Sequence, residues 1–432
     1  MMGTPSPWRI RRPLLEGRFT HSLTPAPDMP ALTGPGRIIP LPDVAVEAPL
    51  SMAAFFPRAG PDIPCVLDTG PALWLTAGRF AIAMALEALE LEPGDEVLIP
   101  AFHCSSMIEP LGVCGAVPIF YRIGVDLTPD LADVATKLTA AAKVMIVPHY
   151  FGFPQPIAEI RTFCDDHGIA LIEDCAHAFF GEVDGKPLGS TGDYIIASPR
   201  KFFPVHDGGC LISPRRRPLP TRLQAYPLGA AAKAAFDMVE KGITYGRLPA
   251  LRPAIRLAHA TLSAVRKISR RRPAGAVPEP RDCGYGGADS GAPGNFNADW
   301  THIRMSPASR FLLRYASRAR IVTRRRENYL RLRDSLADLP GCRALLPELP
   351  QGVVPYLFPM WVDDLEHCFP HLENLALPMQ RFGQFLDPAV DETLCPTSTA
   401  LSRHLVEFSC NQEINTQELQ SMIERIRSVM GA

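Results

Sequence analysis

The 432-residue sequence lacks an excess of charge of either sign, with 44 Lys and Arg against 45 Asp and Glu. A chain whose main business is gripping a phosphate backbone carries a basic surplus, so nucleic acid is excluded as the principal partner. The 11 cysteines, at 65, 104, 114, 164, 175, 210, 283, 342, 368, 395 and 410, form no CxxC pair and no Cys/His cluster at zinc spacing. That scatter predicts a reduced, cytoplasmic protein without a structural metal. No apolar run reaches the roughly 18 to 20 residues that cross a bilayer. The opening MMGTPSPWRIRRPLLEG also lacks the apolar stretch of a secretory signal. Internal repeats are absent.

What the sequence does have is proline, 45 residues, about twice the usual share. Much of it falls in residues 1–65, which predict an extended Pro-rich arm. From residue 66 the texture changes. The helical stretch GRFAIAMALEAL ends at the turn EPGDE, and VLIP, VPIFY, VMIVP, IALIED, YIIAS and CLIS then alternate with helical segments. Short apolar runs at that spacing predict βαβ units around buried, mostly parallel strands, a three-layer α/β domain. It is expected to span 66–300, with a basic and Gly-rich insertion at about 214–300 whose stretch AGAVPEPRDCGYGGADSGAPGNFN reads as disordered or a mobile flap. A long helical pattern from Ser306 and an amphipathic C-terminal helix behind an Asn/Thr cap make 301–432 a smaller α/β domain.

Chemistry concentrates between Leu171 and Gly209. In LIEDCAHAFFG, Glu173, Asp174 and His177 stand at a strand's carboxyl end, the usual ligand edge of such sheets. Asp174 there is a buried carboxylate in need of a cation. In SPRKFFPVHDGG, Ser198 and Lys201 follow a later strand on a turn, and Gly208 and Gly209 lead into the next. An acid and a lysine at neighbouring strand ends suit pyridoxal phosphate: the amine bonds to the cofactor aldehyde, and the carboxylate keeps the pyridine nitrogen protonated. Taken singly, either residue reads as a surface lysine or a helix cap; order and spacing together carry the inference.

Seven stretches in order, AGRFAIAMAL, LEPGDEVLIPAF, GAVPIFYRI, VMIVPHYFG, HGIALIEDCAHAFFGEVDGKPLGSTGD, SPRKFFPVHDGG and IRMSPAS, resemble the DegT/StrS-type sugar aminotransferases among the fold-type I pyridoxal phosphate enzymes. EDCAHA resembles the family's Glu-Asp-x-Ala-Gln-Ala block, and Lys201 precedes the Gly-Gly pair as the family lysine does. The resemblance implies Lys201 as the Schiff-base lysine, Asp174 as the pyridinium partner, Ser198 as a phosphate ligand and His177, in place of glutamine, near the cofactor 3-hydroxyl. Three departures accompany it. The phosphate-binding Ser-Gly-Thr reads Ala77, Gly78, Arg79, leaving the backbone at Gly78 to hold an anion and Arg79 either to add a charged fork or to sit in a salt bridge. The ring-stacking aromatic falls on Cys104, so Phe102 or His103 takes over, and His103 is taken here. In WTHIRMS, His302 occupies the place of the Asn that reaches the partner subunit's cofactor, while Arg304 is retained.

The activity implied is transfer of an amino group from glutamate or glutamine to a keto sugar, nucleotide-linked, or to another cyclic ketone of natural-product metabolism, by a homodimer with shared active sites. The alternatives are a pyridoxamine phosphate-dependent sugar dehydratase, whose relatives carry His in place of the lysine, and a non-catalytic regulatory or partner subunit. Residues 241–278 hold nine Lys or Arg and no acid. Three readings of them compete: a solvated helix, a basic lid over an anionic acceptor, and an interfacial helix on anionic membrane.

Overall fold

The computed structural model describes residues 42–255 and 294–431, apart from 58, 59, 61, 62, 216, 221 and 295. The Gly-rich stretch and most of the predicted basic helix lie outside the described residues. Alternating apolar runs become Ala72–Leu75 (β1), Glu96–Pro100 (β2), Val117–Tyr121 (β3), Ala142–Pro148 (β4) and Ala170–Cys175 (β5). After a hairpin of Glu182–Val183 (β6) and Lys186–Pro187 (β7) come Tyr194–Ala197 (β8) and Gly209–Ile212 (β9). They assemble one seven-stranded sheet in the order β1-β9-β8-β5-β4-β2-β3. The strands from β8 to β3 run parallel, whereas β9 is antiparallel to both neighbours. This is the expected mostly parallel α/β sheet. β1 was not read from the sequence, because four residues, ALWL, behind a proline offer too short a pattern.

Strands β4, β5 and β8 are buried along nearly their whole length, as strands covered on both faces by helices must be. The helix Gly78–Ala88 is apolar on every side and sits inside this packing, with Phe80 to Leu86 all buried. Helix Ile157–His167 ends where Gly168 takes φ 66°, a left-handed cap that glycine adopts without strain.

Beyond the sheet, helix Leu228–Thr244 absorbs the first residues of the basic stretch. Lys241 lies 3.7 Å from Glu47, and Arg247 reaches Glu418 at 2.7 Å, so two of its nine cations are paired within the chain. The helical pattern after Ser306 is two helices, Pro307–Tyr315 and Arg318–Leu336. They part because Ser317 caps the second helix and its N–H bonds to Ala54 O. Cys342–Ala344 (β10), Leu357–Val362 (β11), Met379–Gln380 (β12) and Leu405–Ser409 (β13) form an antiparallel sheet ordered β10-β11-β13-β12. Helix Thr416–Met430 closes the described chain behind the expected Asn415 cap, reinforced by Glu418 in a capping box.

The two sheets share their core. One cluster of buried apolar side chains runs from Leu98 and Ile146 through Tyr329 to Phe358 and Ile423. The described part of the N-terminal arm is a strap across both. Ala45 O and Val46 O accept from Asn411 Nδ2 and Ser409 Oγ, at 2.8 and 2.7 Å, and Glu47 meets Arg200 at 3.0 Å. Among the described residues no helix is long and apolar enough to cross a membrane.

Candidate active site

Parallel register decides where the chemistry collects. Pro148 pairs with Asp174, and Asp174 with Ile196, so the carboxyl ends of β4, β5 and β8 finish in one row. All three residues line a cavity of about 600 Å3, open mouth included, together with Gly78, Arg79, Cys104, His177, Ser198, Lys201 and Phe382. The cavity lies at the sheet edge where ligands of open α/β folds bind.

Lys201 ends the short helical turn Pro199–Lys201 that follows β8, and its Nζ stands 5.3 Å from the centre of the Tyr356 ring. Behind it, Arg325 Nη2 donates to the Lys201 carbonyl at 2.7 Å. Asp174 is buried, and Oδ1 accepts from the Ala176 N–H at 2.8 Å. Burial pushes its carboxyl above the ordinary range, against the opposing pull of that N–H, of Lys201 and of His149. A desolvated acid of this kind favours a cationic partner in the cavity.

His177 is buried and neutral: loss of solvent drives its pKa well down, and the Lys201 charge adds to the effect. Its Nδ1 accepts from the Phe151 N–H at 3.3 Å, which leaves the ring proton on Nε2 as a donor. Glu173 faces away from this chemistry. Its carboxylate takes the N–H groups of Gly189, Thr191 and Gly192 and the Nε2–H of His149, holding the GSTG turn. His149, Glu173 and Cys175 approach as metal ligands might. Both His149 nitrogens are nevertheless engaged, Nδ1 by the Gln155 N–H.

The cavity's far end is the start of helix Gly78–Ala88, where Ala77 offers no capping side chain. A Cβ on Gly78 would rest 3.6 Å from Ser198 Cβ, inside the space between helix and turn. Gly209 is required by contact, since a Cβ there would lie 2.2 Å from Ala77 C and O. Asp207, just before the glycine pair, accepts from the Ser306 N–H (2.7 Å) and from the hydroxyls of Ser306 and Ser309, both at 2.5 Å, anchoring the turn to the next helix. Arg79 lines the cavity, and its Nη1 lies 3.8 Å from Glu109, the salt bridge that was one of the two sequence alternatives.

Two expected residues lie elsewhere. His103 is fully buried and stacks on Phe120 at 5.0 Å. Its Nδ1–H donates to Pro100 O and its Nε2 accepts from the Asp387 N–H, which corrects the expectation that it faces the cofactor ring. Counting along the loop could not tell which of three neighbours turns inward; it is Cys104. His302, half-exposed, pairs with Glu87 at 3.4 Å and does not line the cavity of its own chain. Sequence reasoning missed Tyr356 and Phe382, aromatics brought in by the second sheet and carrying no local signal.

Residues 67–235 match the model of the DegT/DnrJ/EryC1/StrS aminotransferase family. GDP-perosamine synthase of Vibrio cholerae is 35% identical over 139 residues, 32% of this chain and 38% of that protein. The dTDP-4-dehydro-2,3,6-trideoxy-D-glucose 4-aminotransferase of Saccharopolyspora spinosa is 33% identical over 146 residues, 33% of this chain and again 38% of the relative. The aligned part thus spans 38% of the length of these curated relatives. Likeness of fold extends further. The aminotransferase TlmJ of Streptoalloteichus hindustanus covers 83% of this chain and 86% of its own at TM-score 0.56 and 20% identity. An aminotransferase of Psychrobacter cryohalolentis covers 85% and 88% at 0.56 and 18%. It is residues 67–235, which supply every cavity-lining residue except Phe382, that are similar to the DegT/DnrJ/EryC1/StrS aminotransferase family.

Proposed function

We propose that the chain is a pyridoxal phosphate-dependent aminotransferase that moves an amino group from glutamate or glutamine to a nucleotide-linked keto sugar or a related cyclic ketone. The observation that carries this reading is the convergence of Lys201, Asp174 and a neutral His177 on one cavity. The donor set fits the cofactor: a buried acid seeking a cation, a lysine, a side-chain N–H, and an opening between a helix start and Ser198. When bound, pyridoxal phosphate supplies the electron sink that lets a carbon–hydrogen bond next to nitrogen ionise. Lys201 would be the covalent attachment point and afterwards the base that moves the substrate proton. Asp174 would keep the cofactor's pyridine nitrogen protonated, and His177 would offer its Nε2–H to the ring hydroxyl. Ser198, the backbone N–H groups at Gly78 and Arg79, and the Arg79 guanidinium take the phosphate, a helix start being a natural anion site. Relatives named for GDP- and dTDP-linked sugars support the acceptor class.

Lys201→Ala is expected to abolish both borohydride fixation of pyridoxal phosphate to the protein, read by mass spectrometry, and glutamate-dependent bleaching of the cofactor's visible absorption. The far-ultraviolet spectrum should stay unchanged. Cofactor still fixed to the variant would overturn the assignment. The homodimer is part of the proposal, with His302 and Arg304 as the residues offered to the partner's site. Sedimentation should give twice the 47.3 kDa chain mass; a fully active monomer would refute it.

A further inference from the structure

One of the two rings that line the cavity comes from outside the family-matched segment. The two are His177 and Phe382. Phe382 stands two residues beyond β12, and its N–H donates to Glu407 Oε2 at 2.8 Å. Glu407 is fully buried in β13, and its Oε1 has no hydrogen-bond partner among the described residues. Gly383 follows at φ 72°, and a Cβ there would lie 2.3 Å from Phe102 Cε2, so the backbone turns directly on that ring. Phe382 is then held edge to face by Phe102 at 5.1 Å, Tyr150 at 5.9 Å, Phe151 at 5.9 Å and His177 at 5.2 Å. Each of those four rings belongs to the seven-stranded sheet or its loops. On the loop after β2, by contrast, the side chain turned to the cavity is the non-aromatic Cys104, and His103 is sealed behind it.

We infer that Phe382 is a ligand-binding residue, the aromatic contact surface for the cofactor ring, and that Glu407 is its positioning residue. The inference rests on the pyridoxal phosphate reading above. An aromatic ligand gains from a rigid ring that needs no ordering on binding. Phe382 arrives already fixed by a backbone hydrogen bond, a glycine turn and four edge contacts. Because the ring belongs to the antiparallel sheet and the lysine to the parallel one, binding the cofactor engages both sheets.

The test uses pyridoxamine phosphate, which makes no covalent bond to Lys201, with affinity measured by calorimetry on the full chain. Phe382→Leu should weaken binding about 3- to 10-fold. Phe382→Trp should keep affinity within about twofold and show emission quenched by the ligand. Glu407→Leu should weaken binding as Phe382→Leu does, whereas Glu407→Gln, which keeps an acceptor oxygen for the Phe382 N–H, should restore it. Equal affinity in wild type and Phe382→Leu, or an unquenched tryptophan with ligand bound, would overturn the inference while leaving the cofactor reading intact. A wild type that binds neither pyridoxamine phosphate nor pyridoxal phosphate overturns both.

Discussion

At the scale of single residues, the site depends on which protonation state burial enforces. Burial holds His177 neutral with its proton on Nε2, so in the proposed site it would act as a fixed donor that does not switch near neutral pH. His177→Gln, which offers a side-chain N–H of similar reach, should therefore keep kcat/KM within about fivefold, the worth of roughly one hydrogen bond. His177→Phe should lose more, and neither variant should remove an inflection near pH 6.5 from the rate profile. A profile whose acid limb disappears in His177→Gln would show that the imidazole titrates in the working enzyme. That Lys201, Asp174 and His177 meet at one cavity was legible because each sits in a short block whose order and spacing are local properties. His103 was misjudged for a complementary reason. Adjacent loop residues are equivalent until Pro100 O and the Asp387 N–H bind one of them, and Asp387 lies in a distant part of the chain.

Elements show the same division between local pattern and long-range pairing. The first and last helices and the buried strands announced themselves through periodicity, caps and apolar runs, whereas helix Leu228–Thr244 fell in the stretch read as an insertion. β12 is two residues long and exists only because it pairs with β13, so nothing near Phe382 in the sequence foretold it. Helix Arg318–Leu336 holds a further case. Arg325 is fully buried, and its hydrogen-bond partners are neutral oxygens: Gln412 Oε1 at 3.0 Å, Tyr356 O at 2.8 Å, Pro355 O at 3.4 Å and Lys201 O at 2.7 Å. The guanidinium also lies 4.7 Å from the centre of the Phe202 ring. From sequence this arginine is one of several in TRRRENYLRLR, with nothing to separate it from solvent-facing neighbours. Arg325→Met should cost about 2 to 4 kcal/mol in urea unfolding, because buried carbonyls lose charged donors. Arg325→Lys should rescue little, since an ammonium cannot span the same fork of acceptors. A loss below about 0.5 kcal/mol for Met would mean that relief from burying the cation offsets the lost bonds.

For the whole molecule, the seam between the two sheets carries the titration that pH will read. Burial pushes the Glu407 carboxyl up to about 8, against the Phe382 N–H and Arg381, which pull it down. The ordinary value in an unfolded chain is about 4.3. Between these values the folded protein keeps a proton that the unfolded chain has released. The protonated carboxyl's contribution is thus complete below about pH 4 and is lost as pH rises through 8, at up to about 1.4 kcal/mol per pH unit. Unfolding free energies measured between about pH 5 and 8 should fall more steeply for wild type than for Glu407→Gln. Parallel lines would place the folded pKa near its ordinary value. The large sheet was visible in the sequence because each βαβ unit is nearly self-contained, whereas this seam depends on contacts between distant parts of the chain.

The strap over both sheets has a consequence for the order in which the protein can become itself. Val46 and Asp43 bond to Ser409 and Arg425, which are added to the growing chain 363 and 382 residues later. At about 5 to 20 residues per second, the strap waits on the order of half a minute for its partners. Every strand of the large sheet, up to β9, is synthesised well before then, while the N-terminal segment still lacks these partners. Final locking therefore waits for the second sheet, and until then the carbonyls of Ala45 and Val46 lack the partners they take in the folded chain.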